Sequence, residues 1–144
     1  MKKRIVISIS LLLIATATGA APKAKKPKNF AEIFGKTWIM EKAFGGKKDM
    51  TAEYTKDKMQ GVQHAYTFAE DGAMTTNEPD VISADWKFDD KGFHIHNKLK
   101  VPENVPAGQG YAEDVSIIWN VSIKKNTLTL DQPKLKMKLI FKAR

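Results

Sequence analysis

Two histidines of this chain have a spacing that could serve a metal site. His94 and His96 stand two residues apart in "FHIHN", so on a strand both side chains would point to one face, as two ligands of a zinc or copper ion can. That face lies opposite Phe93 and Ile95, which predicts the outer surface of a sheet. The alternative is a pair of solvent-exposed strand histidines, and we favour it because the chain has no cysteine to complete a site. We therefore expect no metal site.

A second group of side chains could line a pocket. His64, Tyr66 and Phe68 share the apolar face of one predicted strand, and Trp86 and Trp119 lie on the apolar faces of two others. Pointing inward, they could hold a small guest by hydrogen bonding and stacking. For His64 we favour a core histidine with satisfied hydrogen bonds, and in a barrel this small the tryptophans would more simply fill the interior. The candidate ligand-binding residues are therefore His64, Tyr66, Trp86 and Trp119.

The residues that would indicate an enzyme show no catalytic arrangement. Ser83, Ser116 and Ser122 stand in strand contexts without a nucleophile elbow, and the sequence has no glycine-rich phosphate loop. The acidic pairs at 70–71 and 89–90 lie in sequences typical of hairpin turns, and this role accounts for their presence without catalysis. We expect no catalytic residues, no cofactor and no enzymatic activity.

Strands must position these side chains, because apolar residues recur with a period of two through most of the chain. In "KLKMKLIFKAR", Leu135, Met137, Leu139 and Phe141 fall on one face and the lysines at 134, 136, 138 and 142 fall on the other, which predicts a strand with one dry and one wet face. Short connections between such segments indicate antiparallel hairpins. The same test predicts eight strands, over residues 36–44, 63–69, 73–78, 82–89, 92–99, 112–123, 126–131 and 134–143.

Two longer segments interrupt the alternation. Residues 45–62 join the first two strands and include a predicted helical turn over 52–59. Residues 100–113 are rich in proline and glycine, which predicts a loop. Loops of this length either lie at the mouth of a binding site or are disordered or tolerated insertions.

The N-terminal sequence predicts export. Basic residues at 2–4 precede an apolar run over 5–14 and small residues up to 21, which is the pattern of a secretory signal peptide, and the run is too short to span a bilayer comfortably. We expect residues 1–21 to be removed and the protein to be periplasmic or secreted, with no transmembrane segment after cleavage. The alternative is a retained N-terminal anchor. Without cysteine, the chain is predicted to be neither a lipoprotein nor disulfide-bonded.

The net charge of +8 is concentrated before the predicted domain. Seven of the 24 basic residues and none of the 16 acidic ones precede residue 29, so residues 29–144 carry 17 basic and 16 acidic side chains. This balance gives little reason to expect nucleic-acid binding. Residues 22–29 are predicted to be a solvated Pro/Lys-rich linker, with attraction to an anionic envelope polymer or lipid as the alternative. Residues 30–144 have the length of one domain.

Four stretches resemble a known family. "NFAEIFGKTWIM", "YTFAEDGAM", "ADWKFDDKGFHIHN" and the terminal "LIFKAR" resemble the bacterial lipocalin-like domains of the calycin group, which are small exported β-barrel proteins. The resemblance implies an all-β domain, a single antiparallel eight-stranded up-and-down barrel with a short N-terminal helical turn. From the strand pattern alone, a two-layer sandwich is the alternative. The resemblance also implies that Trp38 closes one end of the barrel, with Lys142 or Arg144 over its ring as a cation–π partner.

Two functions are compatible with this sequence. In the first, an exported lipocalin-like protein holds a small apolar or amphipathic ligand in its barrel, with the 100–113 loop at the mouth. In the second, a filled barrel acts as an adaptor or inhibitor for another protein of the cell envelope. The interior volume distinguishes them, because about 300 Å³ or more of connected apolar space favours the ligand function and a packed interior favours the second.

Overall fold

The computed structural model describes residues 23–106, 110 and 113–144. The predicted signal peptide over 1–21 and part of the 100–113 loop lie outside the described residues. Within them, the strands are β1 (Thr37–Gly45), β2 (Lys48–Asp49), β3 (Ala65–Phe68), β4 (Ala73–Thr76), β5 (Val81–Asp89), β6 (Gly92–Leu99), β7 (Asp114–Lys124), β8 (Thr127–Gln132) and β9 (Met137–Ala143). Helix α1 spans Thr51–Asp57, and 3-10 helices span Phe30–Ile33 and Pro133–Leu135.

The strands form one antiparallel sheet that closes on itself. From β3 to β9, each strand pairs with the next strand along the chain, and β1 pairs with both β3 and β9. The β1–β9 pairing runs from Trp38 opposite Ala143 to Gly45 opposite Met137. The predicted eight-stranded up-and-down barrel is therefore confirmed, and the sandwich is not formed. The short strand β2 was not predicted; it lies beside the end of β1 because Gly46, with a φ of +63°, turns the chain back.

The connections alternate between the two ends of the barrel, as an up-and-down topology requires. One end, the closed end, carries Trp38, the first 3-10 helix and the short turns after β3, β5 and β7. The other end, called the open end below, carries the connections over 46–64, 77–80, 100–113 and 133–136. Within the described part of the chain, no helix is long and apolar enough to cross a bilayer.

Trp38 closes its end of the barrel together with the first 3-10 helix. Its side chain is fully buried, and its Nε1 donates to the carbonyl oxygen of Ile33 at 2.9 Å. The cation over its ring is Lys36, with Nζ 5.6 Å from the centroid, where the resemblance implied Lys142 or Arg144. Lys36 can reach the ring because residues two apart on an extended chain point to the same side. Arg144 instead joins the barrel through its backbone, which bonds to the first residue of β1 at 2.9 and 3.4 Å.

Aromatic side chains fill the closed half of the barrel. Phe30 and Phe34, from the N-terminal segment, pack on Trp86 with ring centroids 5.6 and 5.5 Å away. Phe93 lies 5.8 Å from Trp86 and 5.6 Å from Phe30. These rings occupy the volume that a large guest would need. The core continues through the buried residues Met40, Leu128, Leu130, Leu139 and Phe141.

The last strand begins later than the alternation predicts. Pro133 fixes its own φ and has no N–H to donate to a ladder, so a 3-10 helix forms there instead. Lys136 then takes a left-handed conformation, with φ of +51°, before β9 starts. Leu135 is consequently 46% exposed, and its predicted place on the dry face is wrong. From the start of β9 the alternation holds, with Leu139 and Phe141 buried.

The predicted helical turn over 52–59 is confirmed as α1. Asp49 accepts hydrogen bonds from the backbone N–H of Thr51 at 3.0 Å and from its hydroxyl at 2.6 Å. The same hydroxyl accepts from the backbone N–H of Ala43 at 3.0 Å, which ties the start of the helix to β1. This anchoring places Tyr54 at the open end.

Candidate functional site

The four predicted ligand-binding residues do not surround one space. Tyr66 and Trp119 lie on the wall of a small cavity near the open end. Trp86 lies at the closed end, where its Nε1 donates to the carbonyl oxygen of Ala69 at 2.8 Å. His64 is fully buried and held by side-chain hydrogen bonds. Two of the four residues therefore share a site.

The cavity has a volume of about 30 Å³. Such a space holds one or two water molecules and is about a tenth of what a drug-sized or lipid-sized ligand requires. The barrel interior is thus packed. The cavity nevertheless joins two kinds of lining: the apolar side chains of Ile95, Val115, Ile117, Trp119, Met137 and Leu139, with Tyr66, and the polar side chains of Tyr54, Lys58, Glu78 and Asn97.

Glu78 is the centre of the polar part of this lining. It lies in the connection between β4 and β5, and its side chain is 4% exposed. Nζ of Lys58 is 3.3 Å from Oε1, the hydroxyl of Tyr54 donates to the same oxygen at 3.4 Å, and Nδ2 of Asn97 donates to Oε2 at 3.5 Å. A buried carboxylate requires such partners, because its lost hydration is otherwise costly.

Asn97 contributes an acceptor that lacks a partner. Its Nδ2 points to Glu78, which fixes the orientation of the amide because the reverse would bring two acceptor oxygens together. Its Oδ1 is then buried without a hydrogen bond to any of the described residues. A buried polar atom left unpaired costs about 1–3 kcal/mol. A group that donates a hydrogen bond is therefore favoured at this position.

His64 is a neutral core histidine. Its Nδ1 lies 3.1 Å from the hydroxyl of Tyr54, and its Nε2 lies 3.2 Å from the hydroxyl of Thr76. Burial lowers the pKa of His64 to about 3, and the charge of Lys58 adds to the effect. One assignment satisfies every group: Nδ1–H donates to Tyr54, Tyr54 donates to Glu78, and Thr76 donates to Nε2. His64 thus orients Tyr54, and the structure favours the alternative of a satisfied core histidine.

The tyrosine of this network stays protonated. Burial raises the pKa of Tyr54 far above its usual value, and the charge and hydrogen bond of Glu78 raise it further. The Tyr54 hydroxyl therefore remains a donor to the carboxylate.

Sequence reasoning missed the polar residues of this site. Tyr54 and Lys58 lie in and just after α1, where period-two alternation says nothing about direction, whereas Glu78 ends the predicted strand over 73–78 on the face of Met74 and Thr76. Asn97 could have been found, since it continues the inward alternation of β6 after Ile95. A polar residue at the end of an apolar face is the signal that marks the rim of a barrel.

His94 and His96 share the outer face of β6, but their ring nitrogens bond to different carboxylates and do not form one metal site. His94 is the more buried of the two. Its Nε2 lies 2.8 Å from Oδ1 of Asp89. The expected solvent exposure is wrong for this residue, which is 9% exposed, because it lies on a central strand between the long side chains of Lys87 and Ile118.

His96 forms hydrogen bonds to two other carboxylates. Its Nδ1 lies 3.0 Å from Asp85 and its Nε2 lies 2.9 Å from Asp114. The hydrogen bond to Asp85 is the largest cause that raises the pKa of His96, and Asp114 adds to it. With both ring nitrogens directed at carboxylates, His96 acts as a donor on both sides. Across the residues that the structure describes, no group of three or more His, Cys, Asp or Glu side chains is placed to hold a metal ion.

No family model, curated protein or solved structure matches this chain.

Proposed function

We propose that the protein is a binding module that takes a small amphipathic molecule at the open end of its barrel. The observation that carries the proposal is the meeting of apolar and polar walls at one cavity. Ile117 and Trp119 supply the apolar part, and Glu78 and Asn97 supply the polar part. A ligand with a polar head and a short apolar tail would match both. This is a lipocalin-like ligand-binding function in which the ligand binds at the rim of the barrel and not at its centre.

The cavity volume limits the size of the ligand. About 30 Å³ admits only a few atoms, and more space opens only if a lining side chain moves. Lys58 is the side chain suited to this, since it is 54% exposed and its charged end can move into water at little cost. We therefore expect ligands of a few carbon atoms rather than fatty acids or sterols.

The place of action is the periplasm or the medium outside the cell. The pattern of residues 1–21, with its basic start, apolar run and small residues, supports this part of the proposal.

A second function, an adaptor or inhibitor for another envelope protein, is favoured by the packed interior. Large apolar side chains are exposed at the open end, where Ile82 and Val101 are 58% and 49% exposed. Their segments are adjacent, because the backbone N–H of Lys100 donates to the carbonyl oxygen of Asp80 at 2.8 Å. A partner protein would cover this apolar surface.

A ¹H–¹⁵N NMR titration with butanol, butyramide, butyrate and butylamine tests the small-molecule function. At least one of these compounds should cause saturable shift changes at Glu78, Asn97 and Trp119. The amides near Trp38, at the closed end, should not move. No saturable change with any compound up to about 10 mM, a concentration that corresponds to binding of only about −3 kcal/mol, would overturn this function and leave the adaptor as the function to pursue.

Two valines of β7 provide a matched pair of variants for the same titration. Val115→Ile and Val121→Ile each add one methylene to an inward side chain, but only Val115 lines the cavity. Val115→Ile should weaken binding severalfold because it fills space that the ligand uses. Val121→Ile should leave binding unchanged.

A further inference from the structure

We infer that the ligand of the open end is a small primary amine, bound as its ammonium ion. The inference rests on the proposed function and names the chemistry of the polar head.

The oxygen atoms at the cavity favour a ligand that donates. Glu78 presents a buried carboxylate, and Asn97 presents an Oδ1 without a partner among the described residues. An ammonium group brings three N–H donors and a positive charge, so it can bond to both. A carboxylate or phosphate head would face the negative charge of Glu78, and an alcohol would bring a single donor.

Lys58 already places an ammonium group beside the carboxylate of Glu78. Its Nζ lies 3.3 Å from Oε1 of Glu78 and 5.6 Å from the ring centroid of Tyr54, so the cation is held by a carboxylate and by an aromatic face. The lysine side chain is 54% exposed, whereas that of Glu78 is 4% exposed. The lysine is therefore the partner that can leave.

Exchange of Lys58 for a free amine keeps the charge of Glu78 compensated. The incoming ammonium replaces Nζ as the partner of the Glu78 carboxylate and binds from within the cavity, where it also donates to Oδ1 of Asn97, a hydrogen bond that Lys58 does not make. Its short tail then lies on the apolar wall of Ile117 and Trp119. Lys58 thus acts as an internal competitor that a ligand must displace.

Isothermal titration calorimetry at pH 7.5 tests the inference with butylamine, butanol and butyrate. Butylamine should bind more tightly than the other two. Lys58→Met should tighten butylamine binding about two- to fivefold, because it removes the competing cation. The control is Lys56→Met, an exposed lysine of α1, which should leave the affinity unchanged. Glu78→Gln should weaken butylamine binding about tenfold or more, as expected for loss of a charged hydrogen bond.

A comparison of ligands keeps the test decisive if Glu78→Gln does not fold. Butyltrimethylammonium has the same charge as protonated butylamine but no N–H donor. It should therefore bind clearly less tightly than butylamine to the unaltered protein.

Three results would contradict the inference. Tighter binding of butanol or butyrate than of butylamine would overturn it while leaving the proposed function intact. Weaker butylamine binding in Lys58→Met would show that the lysine supports the ligand rather than occupying its place, and would also overturn it. No binding by any of the compounds would overturn both.

Discussion

A neutral imidazole and a carboxylate lie side by side at the open end, both buried. Nε2 of His64 is 3.9 Å from Oε1 of Glu78, a distance at which a protonated histidine would form an ion pair. Burial outweighs that attraction, because the pKa of His64 falls to about 3. Glu78 takes its positive partner from Lys58 instead, which can reach from solvent. The network therefore depends on His64 staying neutral.

Acid should destabilise the protein in part through His64. Its pKa is about 3 in the folded protein and 6.5 in the reference state, so between these values the unfolded chain takes up a proton that the folded protein does not. The stability that comes from neutral His64 is complete above pH 6.5 and is lost as the pH falls towards 3. At pH 5 the loss amounts to about 2 kcal/mol.

Urea unfolding at pH 7.5 and pH 5.0 measures this loss for the unaltered protein and for His64→Gln. Between the two pH values, the unaltered protein should lose about 2 kcal/mol more than the variant. Equal losses would mean that His64 is protonated in the folded state and that the hydrogen-bond assignment given above is wrong.

Single residues were predictable where alternation alone decides their direction. Tyr66 and Trp119 point inward as the sequence indicated, since their strands run without interruption. The hydrogen-bond partners of His64 were not predictable, because Tyr54 and Thr76 come from other elements that only folding brings together.

Among the elements, β9 shows how one residue changes a strand boundary. The alternation of lysine with apolar residues predicts a strand from 134 onward, yet Pro133 starts a 3-10 helix and moves the start to Met137. Leu135 consequently points to solvent. The hydrophobic period is therefore reliable within β9 and fails at its N-terminal end.

Lysine substitutions along this segment should separate the two environments. Leu139→Lys should destabilise the protein by several kcal/mol or prevent folding, because Leu139 is 2% exposed and an unpaired charge in the core is costly. Leu135→Lys should change stability by less than about 0.5 kcal/mol, since Leu135 is 46% exposed. Lys138→Leu, on the wet face, should also be close to neutral.

Thermal unfolding followed by circular dichroism compares the three variants. A strong loss of melting temperature in Leu135→Lys, or a melting temperature in Leu139→Lys equal to that of the unaltered protein, would contradict the register of β9 with β8 and β1.

At the scale of the whole molecule, the fold was predictable and the interior volume was not. Eight strands with one apolar face each can remove their open edges by closure, and the chain does so through the pairing of β1 with β9. The volume depends instead on how individual rings pack. Phe30 and Phe34 enter the closed end from outside the barrel strands and meet Trp86 there, and no periodicity predicts that contact.

The tryptophans report where a ligand binds, because Trp119 lines the cavity and Trp38 and Trp86 do not. Trp119 lines the cavity near the open end, whereas Trp38 and Trp86 lie at the closed end, bonded to Ile33 and Ala69. A ligand at the open end should change the emission of Trp119 alone.

The most direct test of open-end binding is therefore a fluorescence titration of the protein and its Trp38→Phe, Trp86→Phe and Trp119→Phe variants with the four-carbon compounds and with palmitate. We expect a saturable change for at least one four-carbon compound that survives in the first two variants and disappears in Trp119→Phe, with no saturable change for palmitate. A saturable palmitate response that depends on Trp86 would contradict the account, since it would place the ligand deep in a barrel that opens far beyond the packed interior described above.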